Sequence, residues 1–76
     1  MPRLITLAGD IAIFIYADDH APPHVHVFAG TDESSMGFNG AIIVGTLRAG
    51  PRRRAQAWVV ANSAFLAEKW KELGNK

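Results

Sequence analysis

The 76-residue chain contains no cysteine, so neither a disulfide framework nor a cysteine-ligated zinc site can reinforce it. No apolar run approaches the roughly 18 residues that a membrane-spanning helix needs. The first residues, Met1-Pro2-Arg3-Leu4-Ile5-Thr6-Leu7, lack the apolar core of a signal peptide. These absences predict a cytoplasmic protein with no membrane partner. Also missing are a phosphate-binding glycine motif, a serine or cysteine nucleophile arrangement and a nucleotide fingerprint. Repeats, linkers and low-complexity segments are absent as well.

Length sets the next bound. A chain this short forms one domain, here 1–76, because it buries only about 60% of its unfolded surface and has no room for a second core. Dimerisation or a partner is then the expected source of extra stability. Net charge is +1, but it is unevenly spread. Residues 1–47 hold one basic residue, Arg3, against five acidic ones, whereas residues 48–76 hold seven basic against two acidic. Such a split favours an anionic partner on one side or association between opposite poles.

What is present reads as a β-rich part over 1–47 and a helical part over 51–73. Leu4–Leu7 and Ile11–Tyr16 flank a Gly9-Asp10 turn and are rich in β-branched and aromatic residues, which predicts a hairpin. On the second strand Ile11, Ile13 and Ile15 share one face and Ala12, Phe14 and Tyr16 the other. Neither face is polar, so helices or a second chain should cover at least one. His24–Phe28 alternates with period 2, placing His24, His26 and Phe28 on one face and Val25 and Val27 toward the core. Gly30–Ser34 predicts a turn and Ser35–Phe38 a weak fourth strand. Asn39-Gly40 predicts a type I′ turn with positive φ at both positions, leading into Ala41–Val44. Pro51 suits a first helical turn. The spacing of Ala55, Trp58, Val59, Asn62, Leu66, Trp70 and Leu73 is helical, with Gly74 as the stop. Asn62-Ser63 is read as a cap dividing helices at about 51–61 and 64–73. The expected fold is α+β: a mostly antiparallel four- to five-stranded sheet, then two C-terminal helices packed on one face.

All three histidines lie in Asp18-Asp19-His20-Ala21-Pro22-Pro23-His24-Val25-His26-Val27. The prolines fix φ and push Ala21 and Pro22 to extended geometry, which stiffens this loop. His24 and His26 are about 6.5 Å apart along one strand face, a spacing from which two imidazoles reach one ion. His20 or Asp19, across the Pro-Pro bend, could supply a third ligand for a divalent metal such as zinc. A second reading makes His20, His24 and His26 catalytic, as general acid and base on a phosphodiester. Arg52, Arg53 and Arg54 would then be the anion-binding residues at a helix start. In the third reading the carboxylates and imidazoles are architecture, satisfying nearby backbone groups. Three arginines at a helix N-terminus oppose the helix dipole, so an anionic partner would relieve a real cost. The tryptophans are read as core.

The run Asp19-His20-Ala21-Pro22-Pro23-His24-Val25-His26 resembles a family of small bacterial proteins of unknown function whose signature is D-H-x-P-P-H-x-H. Pro51-Arg52-Arg53 is similar to that family's helix-opening Pro-Lys/Arg-Arg, and Trp58 and Trp70 match its two tryptophans twelve residues apart. The resemblance spans nearly the whole chain. It departs in the Gly-rich segment Ser34–Gly40 and in helices with fewer charges. The resemblance implies a gene encoded beside a second small protein in a suspected toxin–antitoxin pair, and implies no chemistry. The expected function is therefore a toxin-like member acting on RNA or through a cognate small protein partner. The competing expectation is a non-enzymatic interaction module, partner-binding or a homodimer joined by its apolar strand.

Overall fold

The computed structural model describes residues 3–16 and 22–75. Five strands, β1 (Arg3–Leu7), β2 (Ile11–Phe14), β3 (His24–Ala29), β4 (Asp32–Gly37) and β5 (Ile42–Gly45), precede two helices, α1 (Ala49–Ala61) and α2 (Ser63–Glu72). The strands pair antiparallel in chain order, β1-β2-β3-β4-β5. This is the expected α+β arrangement, with five strands.

Turn chemistry explains where the elements end. Gly9 and Asp10 both take positive φ, 84° and 58°, and join β1 to β2. Ala29 pairs with Asp32, so the β3–β4 connection is only Gly30-Thr31, with Gly30 at φ 63°. The predicted Gly30–Ser34 turn is therefore too long, since Asp32, Glu33 and Ser34 are already in β4. The next hairpin also departs from expectation. Only Gly40 has positive φ (87°), while the Gly40 amide donates to the Gly37 carbonyl at 2.9 Å. That is a three-residue loop closed by a left-handed glycine, not a type I′ turn. Asn39 instead accepts the Ala41 amide through Oδ1 at 3.0 Å.

Register sorts the side chains onto two faces. Ile5 pairs with Ile13 and Leu7 with Ile11, Ile13 with Val27, and Val25 with Met36. These residues face the helices, and all but Ile5 and Leu7, which are half-buried, are fully enclosed. From the helices Ala55, Val59, Leu66 and Trp70 complete the core, with Trp58 packed at its margin. Both helices thus cover the isoleucine face of β2. The predicted cap role of Asn62 is reversed: its side chain makes no cap bond to α2, and Nδ2 donates back to the Trp58 carbonyl at 2.8 Å, closing the end of α1.

Candidate functional site

The other face of the sheet carries Phe14, His24, His26 and Phe28, each half-buried. Tyr16, just past β2, joins them. Strand pairing sets Phe14 directly beside His26 and Ala12 beside Phe28. The rings then touch in sequence. Phe28 meets Phe14 edge-on at a centroid distance of 5.4 Å, and Phe14 lies 6.1 Å from Tyr16. Tyr16 lies 4.3 Å from His26, and His26 lies 4.9 Å from His24. These separations lie within or near the range of favourable ring contacts.

His24 also joins this face to the helices. Its Nδ1 donates to the Pro22 carbonyl at 2.7 Å, which places a proton on Nδ1 and directs the acid–base or metal chemistry of a neutral ring through Nε2. Its ring lies 5.5 Å from Trp70, which in turn lies 6.0 Å from Phe38. Asn75 Nδ2 donates to the Tyr16 carbonyl at 2.8 Å, so the residue after the α2 stop is tied to the same end of the sheet. Pro22 and Pro23 border a shallow apolar groove with Phe38, Ala41 and Ile43.

The arginines lie elsewhere. β3 runs about 17 Å from His24 to Ala29 at the usual strand rise, and the start of α1 is at the Ala29 end. There Arg48 pairs with Asp32 at 3.5 Å. The Arg54 guanidinium approaches the β1–β2 turn, with Nη1 3.1 Å from where a side chain at Gly9 would begin. Arg52, Arg53 and Arg54 occupy consecutive positions on α1, at steps of about 100° around the helix, and so point in different directions. The structure brings His24 and His26 together, sets Arg52, Arg53 and Arg54 at the opposite end of the sheet, and pairs Arg3 with Phe14 at the histidine end.

His20, Asp18 and Asp19 lie outside the described residues. Among the described residues no three histidine, cysteine, aspartate or glutamate side chains come close enough to hold a metal ion. Of the side chains expected to hold a metal, His24 and His26 are the two that lie among the described residues.

Sequence reasoning identified the histidines and placed Phe28 on their face, but missed Tyr16 and Trp70 as their neighbours. The period-2 pattern places Phe14 and Tyr16 on one strand face and the histidines on another. Only the register shows that these are one surface.

Residues 10–71 match the family described as Domain of unknown function (DUF4160). No curated protein and no solved structure matches the chain. No helix among the described residues is long and apolar enough to cross a membrane.

Proposed function

The chain belongs to the DUF4160 family, whose function is unknown, and from that premise we propose that it is a non-enzymatic protein-interaction module. In this reading it is the partner-binding member of a two-protein pair of the toxin–antitoxin type. The observation that carries the reading is the continuous run of rings from Phe28 through Phe14, Tyr16 and His26 to His24 on the sheet face opposite the isoleucine core. A surface rich in aromatic residues and poor in charge has the composition of an interface core. Tyrosine is also prominent among residues that dominate binding energies.

The position of the arginine triplet favours protein over RNA as the occupant. A stacking platform for single-stranded nucleic acid needs cations beside its rings. Among the described side chains of this face the charged one is Glu33, Arg3 on β1 is paired with Phe14, and the arginine triplet belongs to the far end of the sheet. RNA cleavage by the imidazole pair is the second reading, with or without a divalent metal such as zinc. It draws on the 4.9 Å approach of His24 to His26, a distance suited to shared proton transfer through a bound substrate. It needs an anion clamp at that end, where Arg3 on β1 is the basic residue paired with Phe14.

The two readings separate by affinity capture from bacterial cells with quantitative identification of what is retained. Ser35 is the strand neighbour of His26, and Val44 is the neighbour of Ser35. Ser35→Arg/Val44→Lys charges the open face while keeping both imidazoles. A docking face predicts that one protein held in stoichiometric amount by the wild type is lost from this variant. Unchanged capture, together with RNA cleavage that vanishes in His24→Ala/His26→Ala, would overturn the docking reading.

A further inference from the structure

We infer that β5 is a self-docking edge: it pairs antiparallel with β5 of a second copy of the chain, about a two-fold axis perpendicular to the sheet and beside Ile43 and Val44. The inference concerns the sheet edge rather than the run of rings and stands independently of the docking reading above. Backbone geometry is its first support. β5 is the last strand in the order β1-β2-β3-β4-β5, so it is paired on one side. The Ala41 carbonyl accepts the Gly37 amide at 2.9 Å, and the Thr46 amide donates to the Glu33 carbonyl at 3.2 Å, which holds both ends of the strand to β4. Between these two residues the N–H and C=O groups that alternate away from β4 line the outer edge, where an added strand can take them up.

The second support is where the exposed apolar residues gather. Four large apolar side chains among the described residues are exposed, and Ile43 (47%), Val44 (64%) and Val60 (52%) are three of them. Val60 Cγ2 lies 3.1 Å from where a side chain at Gly40 would begin, in the turn that leads into β5. The bulge opposite Ser35 and Met36 leaves Ile43 unpaired with β4. None of these three side chains belongs to the core or packs against it, whereas Leu4, Ile5 and Leu7 on the other edge strand, β1, do. From Ala41 to Leu47 there is also no charged residue and no proline, two of the devices by which sheet edges are kept from pairing. A cluster of this kind at a strand edge marks a contact surface.

Charge selects the occupant and its direction. Asp32, Glu33, Arg48 and Arg53 lie toward the Gly45 end of β5: the Glu33 carbonyl holds Thr46, Arg48 pairs with Asp32, and Arg53 follows in α1. Among the described residues the other end is formed by Asn39, Gly40 and Ala41, with Pro22 and Pro23 beside them, and none of these is charged. Antiparallel pairing sets the charged end of each copy against the uncharged end of the other, while parallel pairing sets like charges side by side. An uncharged strand with this polarity is complementary to its own copy about a two-fold axis. The product is a continuous ten-stranded sheet with the helices of both copies on one side.

The test is sedimentation equilibrium of the purified full-length chain over a range of micromolar concentrations. The wild type is expected to weigh twice the 8.2 kDa chain mass at the upper concentrations. Ile43→Lys and Ile43→Glu, each with an unchanged far-UV circular dichroism spectrum, are expected to weigh one chain mass at the same concentrations, because like charges then meet across the axis. An equimolar mixture of the two is expected to return to twice the chain mass. Ala8→Lys, at an exposed position beside the other edge strand, is expected to remain dimeric. A wild type that stays monomeric throughout overturns the inference, as does a dimer that survives Ile43→Lys or a mixture of the two variants that stays monomeric. Ile43→Lys leaves Ser35 and the ring residues unchanged, so loss of the dimer in this variant leaves the docking reading to its own test.

Discussion

His24 has two structural attachments, a hydrogen bond to Pro22 and a ring contact with Trp70. Both are lost in His24→Ala, leaving the Pro22 carbonyl to water and part of the Trp70 ring uncovered. A cost of about 1–2 kcal/mol is expected, read as a lower denaturation midpoint with an unchanged denaturant slope. An imidazole with only a chemical role would leave the midpoint where it is. Ser34 presents the opposite case. It is 2% exposed, its hydroxyl has no hydrogen-bond partner among the described residues, and it lies in the row of otherwise apolar core positions. A buried hydroxyl without a partner carries a desolvation cost of about 1–3 kcal/mol. Ser34→Ala should therefore raise the melting temperature by several degrees, since about 1 kcal/mol shifts a domain of this size by about 4–8 °C. Gly45 lies across from it at φ 107°, and a side chain there would collide with the Glu33 carbonyl.

The helical elements show what the sequence states plainly and what it hides. Pro51, the apolar spacing and Gly74 mark the two helices to within two residues of their observed ends, because helix starts and stops depend on local backbone chemistry. The strands were readable for a similar reason: alternation and turn glycines are local signals. What could not be read was pairing. That Phe14 lies beside His26 depends on which residues of β2 and β3 are opposite each other, and no residue spacing within either strand encodes that. The Asn39-Gly40 turn was misread because the dipeptide fits two loop lengths, and the bulge between Ser35 and Met36 accommodates the longer one. The start of α1 remains electrostatically adverse, with no acidic residue in its first turn and no side-chain cap. Arg53→Glu, at an exposed position, should raise stability by about 0.3–1 kcal/mol, more at low salt than at high. A loss of stability would mean that Arg53 makes a favourable contact that outweighs the helix dipole.

At the scale of the whole molecule, a 76-residue chain has placed its helices on one side of the sheet and the rings from Phe28 to His26 on the other. The helix side holds the fold together, and the ring side is the surface to which a function is assigned. The central claim is that the histidine face works by contact. It is tested most directly by bacterial growth on induced expression of three chains with matched folded yield: the wild type, His24→Ala/His26→Ala, and Ser35→Arg/Val44→Lys. The account predicts that the two variants behave alike, each losing whatever effect the wild type has on growth, because both disrupt the same surface. If Ser35→Arg/Val44→Lys keeps the wild-type effect while His24→Ala/His26→Ala loses it, the imidazoles act chemically and the claim is contradicted.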